Sequence, residues 1–445
     1  MSLHPVLIGH SEDPYQQGKE VQIVSEARRR HLAVFGGSGS GKSTLFRNML
    51  ALDIASGHGV TVVDPHGQLV DDLLNHHIPR FRTNDVIYIN PKDRSRAIAL
   101  NMLYCPRPEQ RGLVVSNVIG IFRKLWADSF GPRMEDILRN ALYALLEQSR
   151  PVSLIALPKL LTDPSYRKEA LADVENQAVL DFFHTTYDRW DNRFREEAIS
   201  PVLNKCRAFL TDPLLRAVIG QAKSSFDFRD AIDSRKIILC DLSKGAIGAD
   251  NAMLLGSLIV MEEKLAAMSR SDIPESERVP HLLFAEEAQN YIGDFESILS
   301  ETRKYNLSLA VATQAIDSLS RETASAIFTN AANLISFRVS NADAERLKDE
   351  FTMAFGGAMI QDLADYHAYV RTLTCDAAGS RPSAPEPVAT YPPLPKTPGA
   401  EWRSRIERTS NERYTKSRGD VEAEMGRFLK RGTVSDRQLL LAGRK

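Results

Sequence analysis

The sequence predicts an α/β fold in which a mainly parallel sheet is covered by helices. Short apolar runs, for example residues 60–63 and 236–240, alternate with longer segments of helical periodicity, and this alternation is typical of parallel sheets. The run LAVF at 32–35 leads directly into a glycine-rich loop and then into an amphipathic helix. Between about 108 and 230 the pattern is helical without an evident strand, so we expect an all-helical insertion within the sheet-containing core.

Composition and charge narrow the class of protein. The 445 residues are 25% charged and 43% hydrophobic with a net charge of −1, which excludes a global basic field for nucleic acid. Contact with DNA would therefore need a local patch, or a lining made by several subunits. The four cysteines lie far apart without a C-x-x-C pair, which argues against a zinc site or disulfide framework and suits a reducing compartment. Without a signal peptide or a window of about 18 apolar residues, we expect a cytoplasmic protein with no membrane span.

The same patterns divide the chain into five segments. The stretch from 378 to 398 is rich in proline and lacks periodicity, which indicates an extended strap or linker. After it comes a basic helical sequence mixed with acids, for which a solvated helix and a contact with DNA or a partner are both open. The predicted segments are the first part of the core at 1–107, the helical insertion at 108–230, the second part of the core at 231–377, the proline-rich linker at 378–399 and the basic helical tail at 400–445.

The glycine-rich loop contains the complete pattern G-x-x-x-x-G-K-S from Gly36 to Ser43. Glycines let the backbone reach positive φ and aim several N–H groups at one phosphate, while the dipole of the following helix adds positive potential. Lys42 would contact the β- and γ-phosphates, and the Ser43 hydroxyl would bind Mg²⁺. The alternative, a flexible Gly/Ser linker, does not belong between an apolar strand and an amphipathic helix. The residues predicted to bind the nucleotide here are Gly36, Gly37, Ser38, Gly39, Ser40, Gly41, Lys42, Ser43 and Thr44.

Acidic residues end three of the predicted strands. Asp64 ends the second strand, where a nucleotide-binding role and a plain Asp-Pro turn are both open. For the acidic motif that a P-loop ATPase needs, Asp241 has no adjacent carboxylate, whereas Glu286 and Glu287 end a strand as a pair. We favour the pair, with Glu286 toward Mg²⁺ and Glu287 as the base that activates water. The alternative for the pair is an acidic helix N-terminus.

Further polar residues flank the next strand. Gln314 ends it, where its amide would sense the γ-phosphate or orient the water, unless it is a buried structural amide. Arg303, followed by Lys304, precedes the strand and would reach the γ-phosphate of a neighbouring subunit, although a surface basic pair also fits. Arg338 and Arg133 are weaker candidates for the same role.

These motifs resemble those of the HerA/FtsK superfamily of ring-forming, DNA-pumping ATPases, most closely HerA-like proteins and soluble relatives of conjugative coupling ATPases. The resemblance spans about residues 28–375, and its signature stretches include RHLAVFGGSGSGKSTL, GVTVVDPHGQLVDDLL, LLFAEEAQNY and SETRKYNLSLAVATQ. It implies a RecA-like core, a hexameric ring, ATP and Mg²⁺ as cofactors, and double-stranded DNA threaded through the pore. The resemblance also implies that Lys42 is the lysine that binds the nucleotide and that Glu286 and Glu287 are the acidic pair. It implies further that Gln314 is the sensor residue and that Arg303 is the arginine that acts on the site of a neighbouring subunit.

Two departures from the family leave the partner and the pathway open. HerA-like proteins usually carry an N-terminal β-barrel that docks a nuclease, and the coupling proteins usually begin with membrane helices; we expect neither here. We expect an ATP-driven translocase of double-stranded DNA that works with a nuclease or other effector, with Lys205, Arg207 and Lys244 lining the pore. The alternatives are an ATP-dependent scaffold that organises an effector, for example in anti-phage defence, and a conjugation or packaging motor.

Overall fold

The structure is a computed structural model that describes residues 3–292, 295–317, 319–351, 359–376, 379–396 and 400–430. The described residues form two compact units. The sheet unit lies within Met1–Ile89 and Asp227–Ser410, and the helical unit lies within Asn90–Phe226 and Asn411–Lys445.

The strands of the described residues are short, and most of them belong to the sheet unit. They are β1 (Val6–Ser11), β2 (Glu20–Ile23), β3 (Leu32–Phe35), β4 (Gly59–Asp64), β5 (Val86–Ile89), β6 (Arg96–Ile98), β7 (Ile237–Asp241), β8 (His281–Glu286), β9 (Leu307–Thr313), β10 (Asn333–Ser336), β11 (His367–Arg371), β12 (Leu373–Asp376), β13 (Gly379–Pro382), β14 (Glu386–Thr390) and β15 (Thr415–Ser417).

The helices of the described residues are distributed over the two units. They are α1 (Ser25–Arg28), α2 (Lys42–Ala55), α3 (Gln68–His76), α4 (Arg111–Leu125), α5 (Pro132–Leu146), α6 (Ala156–Thr162), α7 (Pro164–Leu171), α8 (Gln177–Asp181), α9 (Asn192–Thr211), α10 (Pro213–Ile219), α11 (Phe228–Asp233), α12 (Lys244–Ile247), α13 (Ala249–Met268), α14 (Phe295–Glu301), α15 (Arg321–Asn330), α16 (Asn341–Leu347), α17 (Ala400–Tyr414) and α18 (Arg418–Lys430). Among the residues that the structure describes, no helix is both long enough and apolar enough to cross a bilayer.

The sheet unit is built on an eleven-stranded sheet with the order β2-β1-β14-β11-β10-β3-β9-β8-β4-β7-β5. From β10 to β5 every neighbouring pair is parallel, and from β2 to β10 every pair is antiparallel. Strands β4, β8 and β9 are buried at every residue, which explains their nearly continuous apolar sequences. The predicted α/β fold with a mainly parallel sheet is thus confirmed, and four antiparallel strands extend it.

The register of the parallel strands brings several polar residues to one edge. Asp64 pairs with Asp241 across β4 and β7, and Glu286 pairs with Ala312 across β8 and β9. The glycine-rich loop leaves the same edge because β3 is parallel to β9. Parallel α/β sheets place their ligands at this carboxyl edge, so the fold itself brings the predicted site residues together.

The predicted proline-rich linker contains a strand of the sheet. β14 pairs with β1 on one side and with β11 on the other, and its Val388 is fully buried. The four residues that flank or end this linker, 378 and 397–399, lie outside the described residues. The sequence EPVAT is too short for its alternation to stand out among the neighbouring prolines.

The predicted basic tail is divided between the two units. In α17, Ile406 is fully buried within the core of the sheet unit. In α18, Val421 and Met425 pack against apolar residues of the helical unit that include Ile155 and Ala217. A few apolar positions at helical spacing therefore anchor this charged sequence, so it is not an exposed helix throughout. The helical unit accordingly contains 90–226 plus the segment from 411, rather than the predicted 108–230 alone, and 431–445 lie outside the described residues.

Candidate active site

The loop between β3 and α2 requires glycine at specific positions. Gly39 has φ 77° and Gly41 has φ 126°, which are unfavourable for a side chain. A Cβ on Gly41 would also lie 2.9 Å from the Phe337 ring. Ser38 and Gly39 are exposed at the tip of the loop, so its backbone is open to a ligand.

Two residues just outside strands hold this loop in place: Arg338 follows β10, and Tyr366 precedes β11. The backbone N–H of Gly37 donates to Arg338 O, and Tyr366 N–H donates to Ser40 O, both at 2.8 Å. The Ser40 hydroxyl donates to Gly37 O, also at 2.8 Å. The loop is therefore shaped by backbone hydrogen bonds that do not depend on a ligand.

Lys42 begins α2 and folds back over the loop. Its Nζ donates to Gly36 O at 2.5 Å and to Gly37 O at 2.8 Å. Burial lowers the pKa of Lys42, while the charges of Glu286 and Glu287 act in the opposite direction. The ammonium is thus held over the loop, where a triphosphate would replace the two carbonyl groups as its partner.

Ser43 and Glu286 form a pair beside Lys42. The Ser43 hydroxyl donates to the Glu286 carboxylate, as expected for two residues that share a cation. Burial raises the pKa of Glu286, and the neighbouring Asp64 raises it further. Thr44, the next residue of α2, accepts a hydrogen bond from Arg47 at 3.3 Å.

Asp64 and Asp241 shape the turns that follow their strands. Asp64 accepts from the backbone of His66 at 2.8 Å and of Val70 at 3.1 Å, at the start of α3. Asp241 accepts from the hydroxyl and the backbone N–H of Ser243. Both carboxylates are fully buried. The geometry therefore favours the turn for Asp64, and Asp241 is already engaged by its own turn.

Glu287 lies at the centre of a polar network. Its Oε1 accepts from His66 Nε2 at 2.9 Å and from Gln314 Nε2 at 2.8 Å. Its Oε2 accepts from Lys244 Nζ at 2.7 Å and from Asn290 Nδ2 at 2.9 Å. Burial alone would raise the pKa of Glu287, but the hydrogen bonds and charges of Lys244 and His66 outweigh it, so the pKa is lowered.

The backbone separates the two glutamates. Glu287 adopts the left-handed conformation with φ 47° and ψ 43°, which costs a non-glycine residue about 1–2 kcal/mol. Strained backbone of this kind is concentrated at functional sites. Because of this turn, Glu286 contacts Ser43 while Glu287 contacts Gln314, so the adjacent carboxylates serve different partners.

Arg303 lies at the amino-terminal ends of the parallel strands, opposite the end that carries the glycine-rich loop. It precedes β9, and the charged residues around it are Arg29, Arg30, Glu26 and Glu275. Burial and the charge of Arg30 lower the pKa of Arg303. The seven residues of β9 span about 20 Å. Arg303 therefore cannot reach the glycine-rich loop of its own chain.

The three residues predicted to contact DNA have different surroundings. Lys205 is only 8% exposed, and its ammonium lies 5.7 Å from the centre of the Trp126 ring. Arg207, two residues later on the same helix, is exposed. Lys244 is paired with Glu287. Lys205 is therefore unsuited to a DNA-binding surface because its charge is directed into an aromatic contact.

The two weaker arginine candidates are engaged by other side chains. Arg338 donates to Asp365 at 2.7 Å and to Leu363 O at 3.1 Å. Arg133, in the helical unit, lies over the Phe194 ring at 5.2 Å. Neither arrangement favours a role at the phosphate.

A comparison with protein families shows which family the chain belongs to. The family described as Helicase HerA, central domain, matches residues 16–259, more than half of the chain. The chain belongs to this family. Curated protein sequences yielded no match.

Solved structures confirm the fold of this HerA-family chain. The plasmid coupling protein TrwB with ADP and Mg²⁺ is 17% identical with a TM-score of 0.59, covering 89% of this chain and 96% of that one. TrwB with the GTP analogue GDPNP is 16% identical with a TM-score of 0.58, covering 85% and 89%. VirB4 of Thermoanaerobacter pseudethanolicus is 16% identical with a TM-score of 0.57, covering 87% and 96%.

As a member of the HerA family, the chain is a P-loop ATPase with ATP and Mg²⁺ as cofactors, as predicted. The site fits these groups. Within the described residues no cluster of three or more His, Cys, Asp or Glu side chains could hold a metal by itself. Mg²⁺ typically uses one or two carboxylates plus phosphate oxygens and water, which suits Ser43 with Glu286. Burial and, after it, the charge of Asp64 raise the pKa of Glu286, and a bound cation would favour its charged form.

Sequence reasoning did not find three members of the Glu287 network. His66, Asn290 and the pairing of Lys244 emerge only when the turns after β4, β8 and β7 meet. The signal for His66 was its place two residues after Asp64, at the carboxyl end of a strand. Lys244 has a similar place after Asp241, but its partner could not be read from the sequence.

Proposed function

We propose that this HerA-family ATPase is an ATP-driven translocase of double-stranded DNA that works as a hexameric ring. The observation that carries the proposal is the division of the site between two edges of the sheet. Lys42, Ser43 and Glu287 gather at the carboxyl edge, whereas Arg303 lies at the amino edge. A second copy would supply the arginine, as in ring ATPases whose sites lie between subunits.

In this proposal the residues of one chain bind ATP and prepare water for attack. Lys42 turns from the loop carbonyls to the β- and γ-phosphates, and Ser43 with Glu286 holds Mg²⁺, which would neutralise charge on the transferred phosphoryl group. Glu287 accepts the proton of the attacking water, and Gln314, hydrogen-bonded to the same carboxylate, orients that water.

The near-neutral chain would bind DNA through repetition of a few cations around a pore. Arg207 and Lys244 are candidates for this lining because both are at least partly exposed. Lys205 is not a candidate because it is buried. Such contacts would act on phosphates with little readout of bases, so binding should weaken steeply with salt.

Mixing two inactive variants tests whether the site is shared. Lys42→Ala removes the nucleotide lysine but leaves Arg303 intact, and Arg303→Ala does the reverse. We expect each variant alone to lack ATPase activity and the mixture to recover part of it, because some interfaces combine an intact loop with an intact arginine. A mixture as inactive as its components, at concentrations where wild-type subunits exchange, would contradict a shared site.

The DNA-dependent part of the proposal needs its own experiment. We expect duplex DNA to stimulate the ATPase, and electron microscopy with DNA and a slowly hydrolysed ATP analogue to show six-membered rings around the duplex. ATP-bound rings without DNA stimulation would support an assembly scaffold that organises a nuclease or another effector.

A further inference from the structure

The hydrogen bonds of Glu287 leave it no capacity for water. A carboxylate has about four acceptor sites, and Glu287 accepts two hydrogen bonds on each oxygen. A general base must lie within hydrogen-bond reach of the proton that it takes. Glu287 therefore becomes competent only after at least one donor has moved away.

The four donors differ in what could remove them. Gln314 and Asn290 are neutral amides with little attraction for an anion, and His66 is charged only when it is protonated. Lys244 carries a full charge on a flexible stem and is 31% exposed, while Glu287 is 15% exposed. An ammonium is also a strong ligand for phosphate. Lys244 is thus the donor that a phosphate anion would withdraw most readily.

The position of Lys244 allows it to respond to a ligand. It is the first residue of α12, which follows β7 at the carboxyl edge of the sheet. Its backbone N–H donates to Pro65 O at 3.0 Å, so the main chain is held while the side chain is free to change partner. A phosphate that draws the Lys244 ammonium toward itself would lengthen and weaken the pairing with Glu287.

We propose that Lys244 is a positioning residue that restrains Glu287, and that a DNA phosphate releases the restraint by binding the Lys244 ammonium. The inference rests on the proposed translocase function and adds a way for DNA to stimulate hydrolysis. Without DNA, Glu287 stays saturated with donors and turnover is slow. With DNA, the Oε2 atom loses its cationic partner and accepts the attacking water.

Lys244→Met tests the restraint because methionine keeps an unbranched stem without the charge. Lys236→Met is the matched control. Lys236 directly precedes β7, the strand that Lys244 follows, so it lies at the other end of that strand. It is also a paired and partly exposed lysine, 3.0 Å from Asp85 and 23% exposed. Steady-state ATPase is measured over ATP concentration, without DNA and with saturating duplex DNA. Thermal unfolding of each variant checks that it is folded.

We expect Lys244→Met to raise kcat without DNA by roughly three- to tenfold, the factor that corresponds to the net loss of one ordinary hydrogen bond between partly exposed groups, with KM for ATP unchanged. The stimulation by DNA should fall by a similar factor. Lys244→Arg should keep the wild-type pattern because it restores the cation, and Lys236→Met should match the wild type. A DNA-free kcat of Lys244→Met that is unchanged or lower overturns the restraint.

The same data separate this inference from the translocase proposal. If DNA does not stimulate the wild type, the translocase proposal fails, and DNA is excluded as the releasing ligand. The rise of the DNA-free kcat in Lys244→Met would still decide whether Lys244 restrains Glu287.

Discussion

Replacing Glu287 by glutamine tests the assignment of the hydrolytic base. Glutamine keeps the shape of the side chain but cannot take a proton from water. General base catalysis contributes about 10²–10⁴-fold, which corresponds to about 3–5 kcal/mol in the barrier. We therefore expect kcat of Glu287→Gln to fall at least about 100-fold, while ATP still binds because Lys42 and Ser43 are untouched.

The surrounding network can accept the new amide without large loss of stability. Its oxygen can still accept from Lys244 and Asn290, and its NH₂ group can face His66 and Gln314 if that ring and that amide present their acceptors. We expect the free energy of unfolding to fall by less than about 2 kcal/mol.

Phosphate release, fluorescent nucleotide binding and denaturant unfolding measure the three quantities separately. Wild-type turnover in Glu287→Gln would refute the reasoning and move the base to Asp241, the other acidic strand end. Loss of nucleotide binding together with turnover would instead indicate damage to the loop.

Three further predictions address binding, packing and pH. Lys42→Ala should abolish ATP hydrolysis in a phosphate-release assay, and wild-type turnover in this variant would remove the nucleotide assignment. Arg28 and Asp53 form a buried pair, 3% and 2% exposed, so Arg28→Met should lower the free energy of unfolding by about 3–5 kcal/mol; a loss below about 1 kcal/mol in denaturant titrations would contradict this. Burial raises the pKa of Glu263 from 4.5 to about 8, so its contribution to stability is full below pH 4.5 and is lost as the pH rises toward 8. Between about pH 7.5 and 8, where His281 of the unfolded chain, with its ordinary pKa of 6.5, is mostly neutral, Glu263→Gln should make the decline in unfolding free energy less steep than in the wild type. An unaltered slope would oppose the assignment.

The parallel part of the sheet could be predicted because its strands are buried on both faces. The runs of β5 and β9 are almost entirely apolar or aromatic, with Ser308 and Thr313 as the exceptions, so the apolar run in the sequence nearly coincides with the strand. The antiparallel strands β1, β2, β11 and β14 are short and carry polar or proline residues, and their pairing depends on segments distant in the chain. α18 was missed as part of the helical unit for a related reason: two buried residues, Val421 and Met425, anchor a largely charged helix.

The sequence predicted which candidate site residues lie at the ends of the parallel strands, but it did not predict which side chains contact each other there. Glu286 and Gln314 end parallel neighbours, so their proximity follows from topology. The partners of Glu287 depend instead on side-chain directions in three separate turns, and no periodicity encodes these. Asp64 shows the limit most clearly, because its sequence suited both a turn and a ligand, and the hydrogen bonds of the structure favour the turn.

The two edges of the sheet impose a requirement on any mechanism for this chain. The carboxyl edge gathers the phosphate-binding lysine and a base saturated with donors, and the amino edge holds the arginine cluster around Arg303. Under our proposals, a single chain holds Glu287 inactive as a base and keeps Arg303 about 20 Å away, the length of β9. Efficient hydrolysis would then need two external events, the arrival of a neighbour's arginine and the withdrawal of Lys244. Under our proposals these events are ring assembly and DNA binding, which would confine rapid ATP consumption to rings engaged on DNA.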